Sequence, residues 1–330
     1  MQSSELQPLG VSADHIIEGE KESANELMTR LCVQVSGVGP ATARAIVDVF
    51  DGNVQAFLAT SFEHLSQLMR PNGRRLLNDN QITELLEKIG LLPKQCSLAE
   101  TWVFYLGRQF LLNQVKMVED LDFKGFDINP LLAKALSLDT PRKVITFNVY
   151  QTVTRSVVTS WGDTVEEIAR FVGCRKNDYT IEGKTGTNFD LKKTVQGTDY
   201  YIQVKSGPNT MNVGMVTSLN EAIEKIEDAR PHSKGILGMT YGRKNRISNQ
   251  ITANLNDADA RMKIGREFWD FISEKSGFHG VLFAFLDKSA DGILEHSFIE
   301  LIDAKINALE AEWAAHAAGK NINAMLENYL

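Results

Sequence analysis

The feature that most constrains this chain is a change of hydrophobic period near residue 180. Before it, apolar residues recur at three- and four-residue spacing over 26–35, 41–50, 54–69 and 82–89, and 97–138 also reads as helical, ending near the turn-like segment before Pro130. After it, short runs at 186–193, 199–205, 235–241 and 280–286 read as strands with helical stretches between them. Thr140 followed by Pro141 is an N-cap and first-turn pair, so a helix is expected over 141–160 despite its many β-branched residues. From Ser297 onward one long amphipathic helix or a pair is expected. The fold class is therefore α/β (α+β): helices first, then a mixed α/β domain. The expected divisions are a flexible acidic tail over 1–23, a helical domain over 24–95, a helical connector over 96–140 and the mixed-sheet domain over 141–330.

Composition excludes several classes. With 43% hydrophobic and 23% charged residues, the chain can bury a core and is neither disordered nor fibrous. No apolar run approaches the roughly 18 residues of a membrane helix, and the N-terminus lacks a basic-plus-apolar leader, so a soluble, cytoplasmic protein without a membrane partner is expected. Cys32, Cys96 and Cys174 are far apart, which indicates neither a disulfide framework nor a zinc site. Gly183-Lys-Thr-Gly lacks the glycine spacing of a phosphate loop, so no nucleotide cofactor is implied. The net charge of −7, taken whole, argues against nucleic acid. Its distribution does not. Residues 1–29 hold one Lys or Arg against six acids, and 286–330 hold three against eight, whereas 181–250 hold ten against seven. Such asymmetry permits a local basic face.

Two constellations carry chemistry. The first is Val35-Ser-Gly37-Val-Gly39-Pro-Ala-Thr-Ala43-Arg44. Two glycines around one apolar residue make a hairpin tight enough for backbone N–H groups to point outward together. At a helix N-terminus such donors suit a phosphate oxygen, with Gly37 and Gly39 supplying backbone freedom, Val38 anchoring the turn and Arg44 reaching a second phosphate. The bland alternative is a helical turn that uses glycine for geometry alone. The pattern resembles the helix-hairpin-helix motif of DNA-repair and recombination proteins, which grips DNA backbones without reading sequence, and a degenerate second copy is expected around Met69-Arg-Pro-Asn-Gly73-Arg74-Arg75.

The second is Asn188-Phe-Asp190 followed by Thr198-Asp-Tyr-Tyr201-Ile-Gln203-Val-Lys205-Ser-Gly. Period two puts Tyr200, Ile202 and Val204 on one face and Tyr201, Gln203 and Lys205 on the other. A turn at Gln196-Gly197 returns the chain so that Asp190 pairs beside them. Polar residues on one side of an apolar strand are unfavourable unless they face solvent or a site. An acid, then a strand ending in amide-x-lysine, resembles the PD-(D/E)XK nuclease core, although Phe189-Asp190 replaces Pro-Asp and Gln203 stands where Asp or Glu is usual. That resemblance implies a catalytic set of Asp190, Gln203 and Lys205, and a Mg2+ ion held by the Asp190 carboxylate, the Gln203 amide oxygen and the Val204 carbonyl. Lys205 would steady the attacking water and offset charge on the transition state. Because Gln is neutral, a second carboxylate is expected from Glu166, Glu167 or Glu221. Asp163-x-x-Glu166 and Ser218-x-x-Glu221 also read as capping boxes.

Downstream, Ser206, Asn209, Thr210 and Asn212 form a polar entry to the next helix, and Arg243, Lys244 and Arg246 end a strand in a basic loop; all are candidate DNA contacts, with a solvated turn as the alternative for the loop. Gly265-Arg-Glu-Phe-Trp-Asp-Phe-Ile272 reads as core. Taken together, 180–275 resembles type II restriction endonucleases, in particular the subgroup that cuts interrupted GG-N-CC-type palindromes. The resemblance implies Mg2+-dependent hydrolysis of double-stranded DNA by a homodimer paired with a cognate DNA methyltransferase. Two alternatives stand beside it: a structure-specific repair nuclease, and a non-catalytic DNA-binding protein with a decayed nuclease fold, for which Gln203 is the best argument.

Overall fold

A computed structural model of the chain describes residues 18–122, 128–173, 189–294, 297–316 and 322–327. Asn188, the Gly183 segment and Cys174 lie outside these residues. The first helix, α1 (Glu18–Val33), starts inside the stretch expected as a tail. It is followed by α2 (Pro40–Phe50), α3 (Val54–Leu58), α4 (Phe62–Ser66) and α5 (Asp79–Gly90). The starts follow from local chemistry: Pro40 sits in the first turn of α2, Asn53 and Ser61 cap α3 and α4, and Asn78 with Gln81 forms a capping box on α5. Leu27, Met28, Ile46, Phe57, Leu65 and Leu85 fill the space between them.

Helix α6 (Leu98–Glu119) opens on a Ser97/Glu100 capping box, and its residues 101–107 are buried on every side, as befits a central helix. After α7 (Pro130–Ala135), α8 (Pro141–Gly173) runs 33 residues, well past the expected end at 160. Asp163 and Glu166 are thus mid-helix and form no capping box. The β-branched residues of α8 do not stop it, because Val144, Ile145, Val149, Val153, Val165 and Ile168 form a buried stripe whose packing outweighs their weak helix propensity.

The sheet has strand order β1-β2-β3-β4, with β1 (Leu191–Val195), β2 (Thr198–Lys205), β3 (Ser233–Met239) and β4 (Met262–Ile264). β1 and β2 are antiparallel through the two-residue turn Gln196-Gly197, where both φ values are positive (51° and 80°), as a twisted hairpin requires. β2, β3 and β4 are parallel, and α9 (Val213–Ala229) makes the crossover from β2 to β3. α9 is capped by Asn212, so Ser218 and Glu221 lie inside the helix and their capping-box reading fails. Its predecessor strand obeys the predicted alternation. Ile202 and Val204 join the core under α6, α8 and the later helices, while Tyr201 joins the cluster under α9.

The strand expected over 280–286 is instead part of α13 (Phe278–Ser289), after the short helices α10 (Asn249–Thr252) and α11 (Ala258–Arg261) and the eight-residue α12 (Arg266–Ser273). An unbroken apolar run carries no period of its own, and here Phe278, Val281, Leu282 and Phe285 turn to the core at helical spacing. The C-terminal part is the expected pair: α14 (Phe298–His316) and the short α15 (Ile322–Leu326). α14 packs Ile302, Ile306, Leu309 and Trp313 on the first half of α8.

One apolar cluster runs without interruption from α1 through Trp102 and Phe171 to Ile202 and Val204 of the sheet. At its centre Trp102 and Phe171 stack at 3.5 Å, the Trp102 indole N–H donates to Ser23 Oγ (2.9 Å), and the Arg30 guanidinium lies against both rings (5.3 and 5.4 Å). No helix among the described residues is long and apolar enough to cross a membrane.

Candidate active site

The ends of β2, β3 and β4 bring Lys205, Met239 and Ile264 into line. The antiparallel register sets Asp190, just ahead of β1, beside Gln203. The Asp190 N–H donates to the Ile202 carbonyl (2.9 Å), and its Oδ2 accepts from the Val204 N–H (2.6 Å). Burial pushes the Asp190 carboxyl above the usual aspartate range, against the opposing pull of the Val204 amide and the Lys205 charge.

Gln203 supplies the most telling observation. Its Oε1 is buried and has no hydrogen-bond partner among the described residues. An orphaned buried acceptor is unfavourable by about 1–3 kcal/mol, and although other buried polar atoms share that condition, this one lies at the strand end beside Asp190. A cleft lined by Gln203, Asn212, Gly214, Met215 and Ser218 lies alongside. Lys205 is partly buried and forms no ion pair among the described residues, although Lys192, Lys193, Lys244 and Lys263 all do. The Val204 carbonyl points to the same strand edge as its N–H, towards Asp190. A carboxylate, an unclaimed amide oxygen and a backbone carbonyl are the hard oxygen donors that suit Mg2+, which binds through one or two carboxylates and keeps waters and substrate phosphate as its other ligands.

The other candidate carboxylates are placed differently. Glu167 is taken by Arg30, whose two terminal nitrogens donate to its two oxygens (2.9 and 3.3 Å), so it is a strut between α1 and α8 rather than an open ligand. Glu166 lies on the same helix, and Glu221 is exposed in the middle of α9. Among the described residues no group of three or more His, Cys, Asp and Glu side chains gathers as a metal site.

The loops that leave the strand ends are tied to one another. The Thr240 N–H donates to the Lys205 carbonyl (2.9 Å), its hydroxyl donates to the Ser206 carbonyl (2.8 Å), and its own carbonyl accepts from the Trp269 indole (2.8 Å). The Ser248 N–H reaches the Pro208 carbonyl (3.1 Å). Of the expected DNA contacts, Asn209 and Thr210 are exposed, with the Thr210 hydroxyl turned back to Gly207 (2.8 Å), and Asn212 uses its side-chain oxygen to cap α9. Arg243, Lys244 and Arg246 are exposed around a single 3-10 turn; Lys244 pairs with Glu267 (3.1 Å).

The glycine hairpin is built as expected but wired inward. Gly37 has φ +75° and Val38 is buried. The Ser36 N–H donates to Glu84 (3.0 Å), holding that carboxyl below its ordinary range, and the Ser36 carbonyl accepts from Gln81 (3.1 Å). The Val38 N–H returns to the Val35 carbonyl (3.0 Å). The Gly37 and Gly39 amides and the α2 start, which has no side-chain cap, stay open, and Arg44 is exposed one turn on. The segment 69–75 is no second helix-hairpin-helix turn. It is a small β-hairpin closed by a Met69–Arg75 bridge and an Arg70 N–H to Arg74 carbonyl bond (2.7 Å), since Pro71 and Gly73 favour a tight turn over helix; Arg70 reaches across to the Thr42 hydroxyl at the α2 start (3.1 Å).

Helices flanking a mixed sheet are consistent with a restriction-endonuclease-like fold. Residues 99–292 match the family model of Type II restriction endonuclease EcoO109I, which is more than half of the chain, and the chain belongs to that family. The match opens at the start of α6 and closes after α13, leaving out both the glycine hairpin and α14. No curated protein matches the chain.

Proposed function

We propose that this restriction endonuclease hydrolyses double-stranded DNA with Mg2+ at a short palindromic site of the interrupted GG-N-CC type. We further propose that it acts as a homodimer alongside a cognate DNA methyltransferase. The single observation that supports the catalytic assignment is the strand end itself: a part-buried Asp190 carboxyl on the Val204 amide, under the pull of the Lys205 charge, beside a Gln203 Oε1 with no partner among the described residues. Asp190, Gln203 and the Val204 carbonyl would hold the metal, which when bound polarises the scissile phosphate and lowers the barrier to attack. Lys205 holds the attacking water by one of its N–H donors and stabilises the extra negative charge as the water oxygen bonds to phosphorus. The water gives up a proton to solvent as its oxygen bonds to phosphorus, one ester P–O bond breaks, and the departing oxygen takes up a proton from solvent to leave as a hydroxyl. Asp190 works ionised, and the Val204 N–H fixes its orientation.

Ser206, Asn209, Thr210, Arg243 and Arg246 are positioned to follow the DNA backbone away from this point. Gly37, Gly39 and Arg44 would hold a phosphate farther along the duplex, without sequence preference. Incubating the purified protein with plasmid and phage DNA in Mg2+ tests the reading. Discrete fragments with mapped, uniform ends are expected. Cleavage confined to branched DNA would point to a repair nuclease, and no cleavage of any unmodified DNA by folded protein would overturn the enzymatic assignment.

A further inference from the structure

Beyond the residues assigned above, one side chain at the strand ends is conspicuous by its exposure. Tyr241 follows Thr240 directly, yet its side chain is 58% exposed in a protein that buries Tyr105 and Tyr201. Its ring does not wander over solvent. A Cβ built on Gly207 would fall 2.5 Å from the Tyr241 ring and 2.6 Å from its hydroxyl, so the hydroxyl end of the phenol rests against the backbone two residues past Lys205. Gly207 itself has an ordinary φ, and glycine is needed there for space alone. The backbone behind the ring is fixed. Gly242 has φ +123° and packs its α-carbon on Ile264 and Pro208, Gly265 (φ +58°) closes against the Gly242 carbonyl, and the Thr240 bonds lock the preceding residue. One edge of the ring is thus seated and the rest is open, and the exposed cations Arg243 and Arg246 follow two and five residues on.

We propose that Tyr241 is a DNA-contact residue that seats its open ring face against the deoxyribose of a nucleotide adjoining the scissile phosphate. Its hydroxyl donates to a neighbouring phosphate oxygen. A strand that presented a phosphate to Asp190 and Lys205 would pass close to Gly207, two residues on, and the exposed Arg243 and Arg246 of the same loop match its charge. An aromatic face suits this role because it fits any nucleotide, whereas base reading needs hydrogen bonds at base edges. The inference rests on the nuclease reading and adds to it the residue that holds the substrate strand in register.

The test is a mutant cycle read by two assays: single-turnover cleavage in Mg2+, and plasmid binding in Ca2+ without cleavage. Tyr241→Ala is expected to slow cleavage by about ten- to a hundredfold and to weaken binding, with an unchanged Tm because the side chain is exposed. Tyr241→Phe keeps the ring and retains most of the rate. Gly207→Ala pushes the ring off its seat and lowers the rate in the wild-type background, but adds nothing once Tyr241 is Ala. Wild-type rate and affinity for Tyr241→Ala overturn the inference while leaving the nuclease reading intact. So does a Gly207→Ala loss that persists without the ring, since that marks a purely structural glycine. If the wild type binds plasmid and does not cut it, the nuclease reading fails and the binding arm alone decides the role of Tyr241. If it does neither, both fall.

Discussion

Two polar turns in this molecule look alike in sequence and differ in how their hydrogen bonds end. In the glycine hairpin, the Ser36 N–H and carbonyl and the Val38 N–H all close on the protein's own Glu84, Gln81 and Val35. At the end of β2, Asp190 holds one backbone amide and feels the Lys205 charge, while Gln203 Oε1 has no partner among the described residues. A turn whose groups are satisfied is architecture with a spare edge. A strand end whose buried groups stay open is poised for something the chain does not contain. On the proposed reading, the contrast favours the sheet for the chemistry and leaves the hairpin a supporting grip.

That contrast can be broken experimentally, and the largest effects should come from the sheet. Lys205→Ala removes the charge that faces the transition state, and single-turnover cleavage should fall on the order of 10²–10³-fold with plasmid binding in Ca2+ retained. A loss of binding equal to the loss of rate would instead make Lys205 a mere anchor.

Asp190→Asn separates function from stability. Cleavage should be abolished, yet the variant should melt higher than the wild type at neutral pH. The folded-state pKa of Asp190 is raised, so its contribution to stability is complete below the ordinary aspartate value of about 4 and is lost as pH rises through the folded value. Melting curves from acid to neutral pH should therefore converge for the two proteins at the acid end and diverge above it. Wild-type activity should follow the opposite course and decline as that carboxylate protonates.

Gln203→Leu sharpens the same point with a smaller effect. Replacing the orphaned amide with an apolar side chain of similar size should stabilise the fold by about 1 kcal/mol in thermal denaturation while removing cleavage. Gln203→Glu should restore a charged ligand and lower the Mg2+ concentration needed for half-maximal rate. Smallest are the hairpin changes. Gly37→Ala forces a side chain into φ +75° with its Cβ 3.3 Å from Gln81 Nε2, and should lower stability by about 1 kcal/mol with the chemical step unchanged. Arg44→Ala should reduce the salt slope of DNA binding by about one and leave the rate at saturation untouched.

The part of this molecule that was legible in its residues is the part governed by short-range rules. The β1–β2 hairpin follows from alternation and Gln196-Gly197, and the starts of α2, α6 and α8 follow from proline and capping residues. What failed to show was decided at a distance. Glu167 looked like an unattached acid because Arg30, its partner, is 137 residues away in sequence. The apolar run at 280–286 has no period, and only its packing on α6 makes it helix. β4 is three residues long and exists because β3 offers it an edge. Gln203 was recognisable as an unusual residue where the nuclease resemblance expects an acid. That its oxygen would be buried without a partner depended on how α9 crosses the sheet, which no local pattern encodes.

The Arg30 strut has a mechanical consequence. With its guanidinium laid on Trp102 and Phe171 and gripped by Glu167, α1 and the glycine hairpin beyond it are fastened to the same packed interior as the catalytic strand. Interiors of this density yield very little. A duplex held at both places would meet a caliper of fixed opening, and the double helix would be the compliant member. Sequences that bend easily between the two contacts would then be cut more readily than stiff ones bearing the same recognition site.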